Sequence, residues 1–577
     1  MTEETLVLEN LTPAQALRLD EIEATLRQPF QSFIDEISKT RRESVDWWVS
    51  DLASRNVFTS PLYFDCCRLE LAAILVAEGS VRRVRTGNPA LARALSEYLL
   101  LRGRGTGVEI CPSFGQLRWA LMRLRSAVGD FGRSCASTFA LGRSFYKRRQ
   151  AARRRPGPKK LLSDRAILVD FYLFESRFQP DGSYADSYFP NLLSFLSNEE
   201  SERTHFIFTA AGCENHASLY GRLKDSKLRF LVKEDWLMVV DYLFAALYPL
   251  RNLAGRFKSL QFRGFDLTQY CNRLRRASGL NFESAEGLLY YRFTRRMKQD
   301  RRSLQLVLSW FENQWMDRGL FFGLNRYYPE VFTVGYQGFT FSKVHLSIYP
   351  GRSEYRAGVL PKTIGVTGPE YLAERKEFCE ECGTVVFPAL RFENAQYSAP
   401  PAELKPLKVL VALSQMKAVY SFMIRDVLSV ADRIPDVRFQ FKPHPTNQAE
   451  VERFFKDCSG PDNCEIISGD FLQAVSASHV VVGAESGTTM ESLMIGRPLI
   501  LYTGSQAPSK NPVPTGIDRR VWCICYDTEE LLRSIDGVMR DYDAIREVAR
   551  EVAREIRKKY IVPVERGSVR AAMGLTD

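Results

Sequence analysis

The sequence predicts an α/β protein built on mostly parallel sheets, and three observations predict it. From about Lys405 to Arg557, short apolar runs alternate with helical stretches across short links, as strands and helices do in an open parallel sheet. A second, less regular alternation occupies roughly residues 160 to 385. Two loops in the last third, Pro443-His444-Pro445 and Gly483-Ala-Glu-Ser-Gly-Thr-Thr489, each follow a strand-like run. In such sheets ligands bind beyond the carboxyl ends of the strands.

A chain of 577 residues exceeds one hydrophobic core and implies two or three domains. The divisions fall near 1–160, 161–400 and 401–577. Hydrophobic residues make up 45%, which excludes a disordered chain. No charged-then-apolar leader opens the sequence, and no run of about 18 apolar residues occurs. A reducing cytoplasmic setting is therefore expected. The twelve cysteines are scattered. Cys379-x-x-Cys382 is a single pair without a nearby histidine, so it reads as structural thiols and not as a zinc site. The formal charge of +11 is uneven: positions 147 to 160 hold eight Lys or Arg and no acid. That run reads as a solvated linker or an exposed helix with a Pro-Gly-Pro stop, with docking on an anionic inner leaflet as its functional reading. It lacks interleaved aromatics and no recognition motif occurs elsewhere, so nucleic acid is not the expected partner.

In chain order, Thr12-Pro13 starts a helix that runs to about Ile34, and Asn88-Pro89 starts another toward Leu101. Val108 to Cys111 is a short strand. Ala166 to Asp170 reads as a buried strand that delivers Asp170 to its carboxyl end, and His205 to Thr209 as a second. Trp236 to Leu250 is apolar enough for a helix lining a core. Residues 303 to 319 read as one helix containing Trp310-Phe-Glu-Asn-Gln-Trp315. Strands follow at 331–338 and 362–369. The last third is clearer: strands at 407–413, 437–442, 465–468, 479–482 and 498–502, and helices at 420–431, 448–456, 471–477, 488–495, 528–540 and 544–558. Gly496 stops the helix at 488–495.

The loop at 483–489 combines glycines (Gly483, Gly487), hydroxyls (Ser486, Thr488, Thr489) and a helix start, the parts of an anion site. It is neither a Walker A loop nor a dinucleotide fingerprint. His444 is one of five histidines; between two prolines its ring is held near a strand end, where it can donate to a phosphate oxygen. Lys442 and Ser414 stand at neighbouring strand ends. Glu491, one turn into the helix, reads as dipole compensation or as an acceptor for ribose hydroxyls.

Lys442-Pro-His-Pro445 followed some forty residues later by GAESGTTMESLMIGRPLI (483–500) resembles the nucleotide-binding half of GT-B glycosyltransferases of bacterial surface polysaccharide synthesis. Those that look closest are polysialyltransferase-like enzymes, β-Kdo transferases and teichoic-acid glycerophosphotransferases. Most of the chain is also similar to proteins described only as surface carbohydrate biosynthesis proteins. The resemblance implies two Rossmann-like domains facing a central cleft, with additional N-terminal helices here. It implies a nucleotide-sugar donor, with CMP-linked Kdo or sialic-acid-type sugars first. It implies a glycan or glycolipid acceptor on the N-terminal domain, and no metal or other cofactor. His444, Ser486 and Thr488 would hold the donor phosphate, and Glu491, Gly496 and Pro498 match the later pattern.

Transfer with inversion needs a base for the acceptor hydroxyl. Glu312, a carboxyl among aromatics, is the first candidate, since such surroundings raise a carboxyl's pKa. Asp170 is the second; Asp317 and Glu354 are weaker. Arg318, Asn325 and Arg326 are candidates for an acidic acceptor or a donor carboxylate. The triplet Asp541-Tyr542-Asp543 lies between helices and reads as a turn. Alternatives on the same scaffold are a UDP-sugar, GDP-sugar or CDP-glycerol transferase and a non-hydrolysing UDP-sugar epimerase; a basic nucleic-acid-binding protein is a third class.

Overall fold

The computed structural model describes residues 5–103, 109–111, 116–155, 160, 162–213, 215–401, 403–484, 487–504 and 508–575. The chain begins with a small parallel sheet, β1 (Thr5–Val7), β2 (Arg83–Arg85) and β3 (Glu109–Cys111). The helix Pro13–Lys39 follows β1 and starts where expected. Thr12 Oγ1 accepts from Gln15 N (3.3 Å) and Gln15 Oε1 accepts from Thr12 N (3.1 Å), a reciprocal cap. Leu19, Ile22, Leu26 and Phe30 are buried on one face of it, against the helix Leu62–Ala77.

The first large sheet contains β4 (Ala166–Phe174), β5 (Thr204–Ala211), β8 (Leu304–Trp310), β9 (Phe332–Gln337), β10 (Thr363–Val366) and β11 (Gly383–Val386); a two-residue hairpin, β6 (Gln261–Phe262) and β7 (Phe265–Asp266), lies outside it. All its pairings are parallel, in the order β11-β10-β9-β8-β4-β5. The second sheet contains β12 (Leu407–Ala412), β13 (Val437–Lys442), β14 (Cys464–Ile466), β15 (Val480–Gly483), β16 (Leu499–Tyr502) and β17 (Trp522–Cys525). It is also wholly parallel, in the order β14-β13-β12-β15-β16-β17. That second order is the doubly wound one of a dinucleotide fold, and the first differs in its third strand, β8, which lies beside β4 and not beyond β5, the other common doubly wound order. Two Rossmann-like domains in one chain are the expected GT-B architecture.

Four sequence readings change. Residues 303 to 319 are not one helix: β8 occupies 304–310, and the helix Trp315–Tyr327 starts after a four-residue elbow. An apolar run of this length has no period that separates strand from buried helix. Asp170 does not end its strand, since β4 continues through Phe174, and Asp170 lies mid-strand opposite Ile207 and Ser309. Residues 236 to 250 line a core as expected, through Trp236, Leu237, Tyr242, Ala245 and Tyr248, but not as one helix. They form Val239–Ala246 and the start of Tyr248–Ala254, with several aliphatic side chains exposed.

Of the two readings of the basic run, the structure shows the helix and not the solvated linker. Lys147 to Arg154 belong to the helix Gln116–Arg154. Arg148 is buried and paired with Glu234 and with Glu286 (2.6 Å), Arg155 pairs with Asp235, and Lys160 pairs with Asp300 (2.6 Å). Lys159 lies outside the described residues. The strand β17 was missing from the sequence reading, because Trp522-Cys-Ile-Cys525 is too short to carry a period.

The end of the chain leaves the second domain, to which 401–577 had been assigned as one unit. Val562 N donates to Thr367 O (2.9 Å), and Ala389 N donates to Val562 O (3.3 Å). Arg570 pairs with Glu200 (2.5 Å). Val569, Ala572 and Met573 share a core with Val169 and Leu306 of the first sheet.

Candidate functional site

In a sheet of this kind the crevice opens where the strand order reverses. In the first sheet that point lies between β4 and β8, and in the second between β12 and β15. The residues just after these four strands therefore frame the candidate site.

After β8 comes Glu312, two residues past the strand end. Its position is fixed by an elbow. Asn313 takes a left-handed backbone (φ +56°) and its amide Nδ2 donates to Ser347 O (2.8 Å). Asp317 accepts from the backbone of both Gln314 (2.8 Å) and Glu312 (3.2 Å), capping the next helix. The indole of Trp310 donates to Glu312 Oε1 (2.8 Å). Burial pushes the Glu312 carboxyl above the ordinary glutamate range, while Trp310 and the Arg391 guanidinium hold it back in part. After β4 comes Arg177, exposed, with no ion-pair partner among the described residues.

On the second domain, Ser414 follows β12 and its Oγ accepts from Met416 N (3.2 Å). Lys442 is the buried last residue of β13. His444 follows it, half-buried. Thr446 N donates to His444 Nδ1 (3.3 Å), so the neutral ring carries its proton on Nε2. Asn447 Nδ2 donates to Ser414 O (3.3 Å) and Gln415 O (3.1 Å), tying this loop to the one after β12. Burial, with Arg391 and Arg177 adding to it, pushes the His444 pKa down. Gly483 ends β15. Ser486 lies outside the described residues. Gly487 stands before the helix Thr488–Ile495, whose first turn holds Thr488, buried Thr489 and Glu491. A methyl group on Gly487 would lie 3.8 Å from the Thr340 hydroxyl of the first domain, so this loop meets the other domain closely. The Glu491 carboxyl is raised by burial, with Arg391 again lowering it and Asp470 adding to the rise.

Arg391 is therefore common to both halves. It stands in the turn Leu390–Phe392, past the last strand of the first sheet. That turn is anchored by Tyr336, whose hydroxyl donates to Pro388 O (2.9 Å) and accepts from Leu390 N (3.1 Å). The Arg391 side chain is exposed and has no ion-pair partner among the described residues. Its charge acts on Glu312 from one domain and on His444 and Glu491 from the other. The arrangement is two carboxyls, an imidazole N–H and two uncommitted guanidinium groups around one crevice. It can hold an anion at the second domain and take a proton at the first.

The structure places Glu312, His444 and Glu491 each under the influence of the Arg391 charge and gives the other candidates partners elsewhere. Asp170 is buried, accepting from Tyr290 Oη (3.0 Å) and Ser309 Oγ (3.0 Å). Arg318 is fully buried on Glu354, Ala53 O and Asn313 O, so it holds the elbow and meets no ligand. Glu354 also pairs with Arg55 (2.6 Å). Asn325 donates to Gly358 O and Leu360 O (both 2.8 Å), and Arg326 pairs with Glu43 (3.5 Å). Asp541 and Asp543 sit where the helix Thr528–Arg540 meets Tyr542–Lys559. Arg177, Arg391 and Thr340 were missed. Arg177 would have been found by continuing the strand through Phe171-Tyr-Leu-Phe174; Arg391 carries no sequence signal.

The Asp170 carboxyl is pushed up to about 7 by burial, with Tyr290 and Ser309 opposing. A group whose folded pKa is raised binds more protons folded than unfolded, so it subtracts stability as pH climbs. Wild-type protein will lose stability relative to Asp170→Asn between about pH 4 and pH 7. Urea midpoints measured across that window check this, and parallel curves for the two proteins would refute it.

No protein-family model matches the chain, and no curated protein does. Among solved structures, UDP-GlcNAc 2-epimerase from Neisseria meningitidis bound to UDP-GlcNAc aligns at 11% identity over 67% of this chain and 94% of its own, TM-score 0.39. MurG from Acinetobacter baumannii aligns at 10% over 71% and 99%, TM-score 0.40. The lipopolysaccharide outer core galactosyltransferase WaaB, in its apo form, aligns at 11% over 71% and 99%, TM-score 0.38. At these scores the architecture stands on the two sheet orders.

Proposed function

We propose that the crevice transfers a sugar from a nucleotide-activated donor to a surface glycan or glycolipid acceptor. What supports this reading is that the Arg391 charge acts both on Glu312 beyond the first sheet and on His444 and Glu491 beyond the second. The donor nucleotide lies on the second domain. His444 Nε2–H and the start of the helix Thr488–Ile495 meet its phosphate. Glu491 accepts from the ribose. Lys442 adds positive charge and Ser414 lines the neighbouring strand end.

Written for inversion, the step needs no other reactant. The acceptor hydroxyl gives its proton to Glu312 as its oxygen bonds the anomeric carbon. The bond from that carbon to the phosphate oxygen breaks, and the nucleotide leaves with the electron pair. Arg391 and His444 offset the negative charge that builds there. A raised Glu312 pKa suits a base working near neutral pH. Two free guanidinium groups, Arg177 and Arg391, also suit a donor with its own carboxylate, which favours a CMP-linked Kdo or sialic-acid-type sugar over UDP-sugars, GDP-sugars and CDP-glycerol.

Thermal melting with CMP, CDP, UDP and GDP tests the site and ranks the nucleotides together. One nucleotide should raise the melting temperature, and at about a hundred times its Kd the gain is worth about 2.7 kcal/mol. His444→Ala and Arg391→Gln should each reduce that gain, with the unliganded melting temperature unchanged. No shift with any nucleotide, or shifts that both variants retain in full, would end this reading. Turnover of UDP-GlcNAc without an acceptor would replace it with an epimerase.

A further inference from the structure

The strand β9 lies beside β8, so the loop that follows it, 338–345, leaves the same edge of the first sheet as Glu312. Its shape is fixed from below. Gln337, the last residue of β9, donates from Nε2 to Ile348 O (3.0 Å) and closes the base of the loop. A Cβ on Gly338 would stand 2.7 Å from the Trp310 ring, so only glycine lets the chain pass this close to the indole that holds Glu312. Phe339 is buried, its ring 5.3 Å from Trp310 and 4.4 Å from Phe341. Thr340 stands between these two phenylalanines in the chain. One aromatic cluster therefore positions both Glu312 and Thr340.

Thr340 is 4% exposed, and its hydroxyl has no hydrogen-bond partner among the described residues. Leaving a buried hydroxyl unpaired is costly, and most such groups in folded proteins find a partner. Facing it from the second domain is Gly487, the residue before the helix Thr488–Ile495. A Cβ there would stand 3.8 Å from the Thr340 hydroxyl, and apart from its chain neighbours no other described group comes within 4 Å. Gly487 has φ −57° and ψ −22°, a backbone that any residue adopts. What the glycine provides is therefore room and not conformation. That room lies between a helix N-terminus and an unpaired hydroxyl. The positive end of the helix selects an acceptor of negative charge, and the hydroxyl can donate to the same group.

We propose that Thr340 is the first domain's hydrogen-bond donor to a phosphate oxygen of the bound nucleotide, which is then held between Gly487 with its helix on one side and Thr340 on the other. The proposal rests on the crevice being a nucleotide site, and adds to it a contact from the domain that carries Glu312. A donor seated on the second domain alone would shift against the base with every change in the angle between the domains. One bonded to Thr340 stays in register with Glu312 through Phe339 and Trp310, which is what an aligned transfer requires. Arg391 supplies charge to the crevice, and Thr340 supplies direction.

Thermal melting and titration calorimetry of the full chain with CMP, CDP, UDP and GDP test it, with the tightest binder then compared with its own nucleoside. Thr340→Val removes the hydroxyl and keeps the shape. Its unliganded melting temperature should stay the same or rise, because an unpaired buried group is lost. Its affinity for the nucleotide should fall about tenfold or more, as for a hydrogen bond to a charged group, while its affinity for the nucleoside is unchanged. Thr340→Ser keeps the donor and should bind the nucleotide within about threefold of wild type. Nucleotide binding by Thr340→Val equal to wild type would overturn the proposal and leave the crevice reading standing. An equal loss for the nucleoside would also overturn it, by moving the hydroxyl to the ribose or base. A loss in Thr340→Ser as large as in Thr340→Val would assign the residue to packing instead. No response of the wild type to any of the four nucleotides would remove the crevice reading, and this contact with it.

Discussion

Glu312→Gln is expected to lower turnover by about a hundred- to ten-thousandfold, the range that a positioned general base contributes. The substitution leaves the elbow in place, because the Trp310 indole can donate to an amide oxygen as it does to the carboxylate. Donor binding should stay the same, since Glu312 faces the acceptor hydroxyl and is not among the groups proposed to hold the nucleotide. The nucleotide-dependent melting shift is therefore retained while kcat collapses. In the wild type, the acid limb of the pH–rate profile should fall above the usual carboxylate range, because burial raises this group, and the variant should lack that limb. Turnover within a few-fold of wild type would remove Glu312 from the chemistry and leave the anion site standing.

The largest effect on stability is expected at Glu354. Its carboxylate serves Arg55 (2.6 Å), Arg318, Asn313 Nδ2 (3.2 Å) and Gly351 N (2.6 Å), all buried. Glu354→Gln leaves two guanidinium charges in the interior without a counter-charge. Breaking a buried pair in this way costs about 3–5 kcal/mol, and thermal and urea unfolding will register it. A loss below about 1 kcal/mol would mean that solvent or another acid reaches these arginines. Activity should fall too, even well below the new melting temperature, because Arg318 and Asn313 shape the turn that carries Glu312.

Sequence made the second domain legible almost strand by strand. Its strands are short, apolar and separated by recognisable stops such as Pro443 and Gly496, and its two loops carry unusual residues. The first domain was less legible for physical reasons. The β8 run and the following helix are both apolar and abut through four residues, so two periods merged into one apparent helix. Asp170 interrupts β4 with a charge that the fold buries and partly protonates, and so looked like a strand end. Glu312 was found by its aromatic neighbours, although the element beneath it was misread. Arg391 and Arg177 stay silent in sequence because their value comes from what they lack, an acidic partner, and only the packed chain reveals that. The basic run misled in the opposite sense: Arg148 is counted as surface charge in any tally, yet it is locked between Glu234 and Glu286.

The return of residues 560–575 to the first domain has a consequence for how the protein is made. The second domain lies between two parts of the first in the chain, and Val569, Ala572 and Met573 complete a core begun by Val169. On a ribosome most of the first domain emerges early but lacks part of its core until residues 560–575 have followed the second domain out. The second domain, contiguous in sequence, can close before that. The later-translated domain is then the earlier to finish. Loss of residues 560–575 would strike the core of the domain that carries Glu312, far from the cut in sequence.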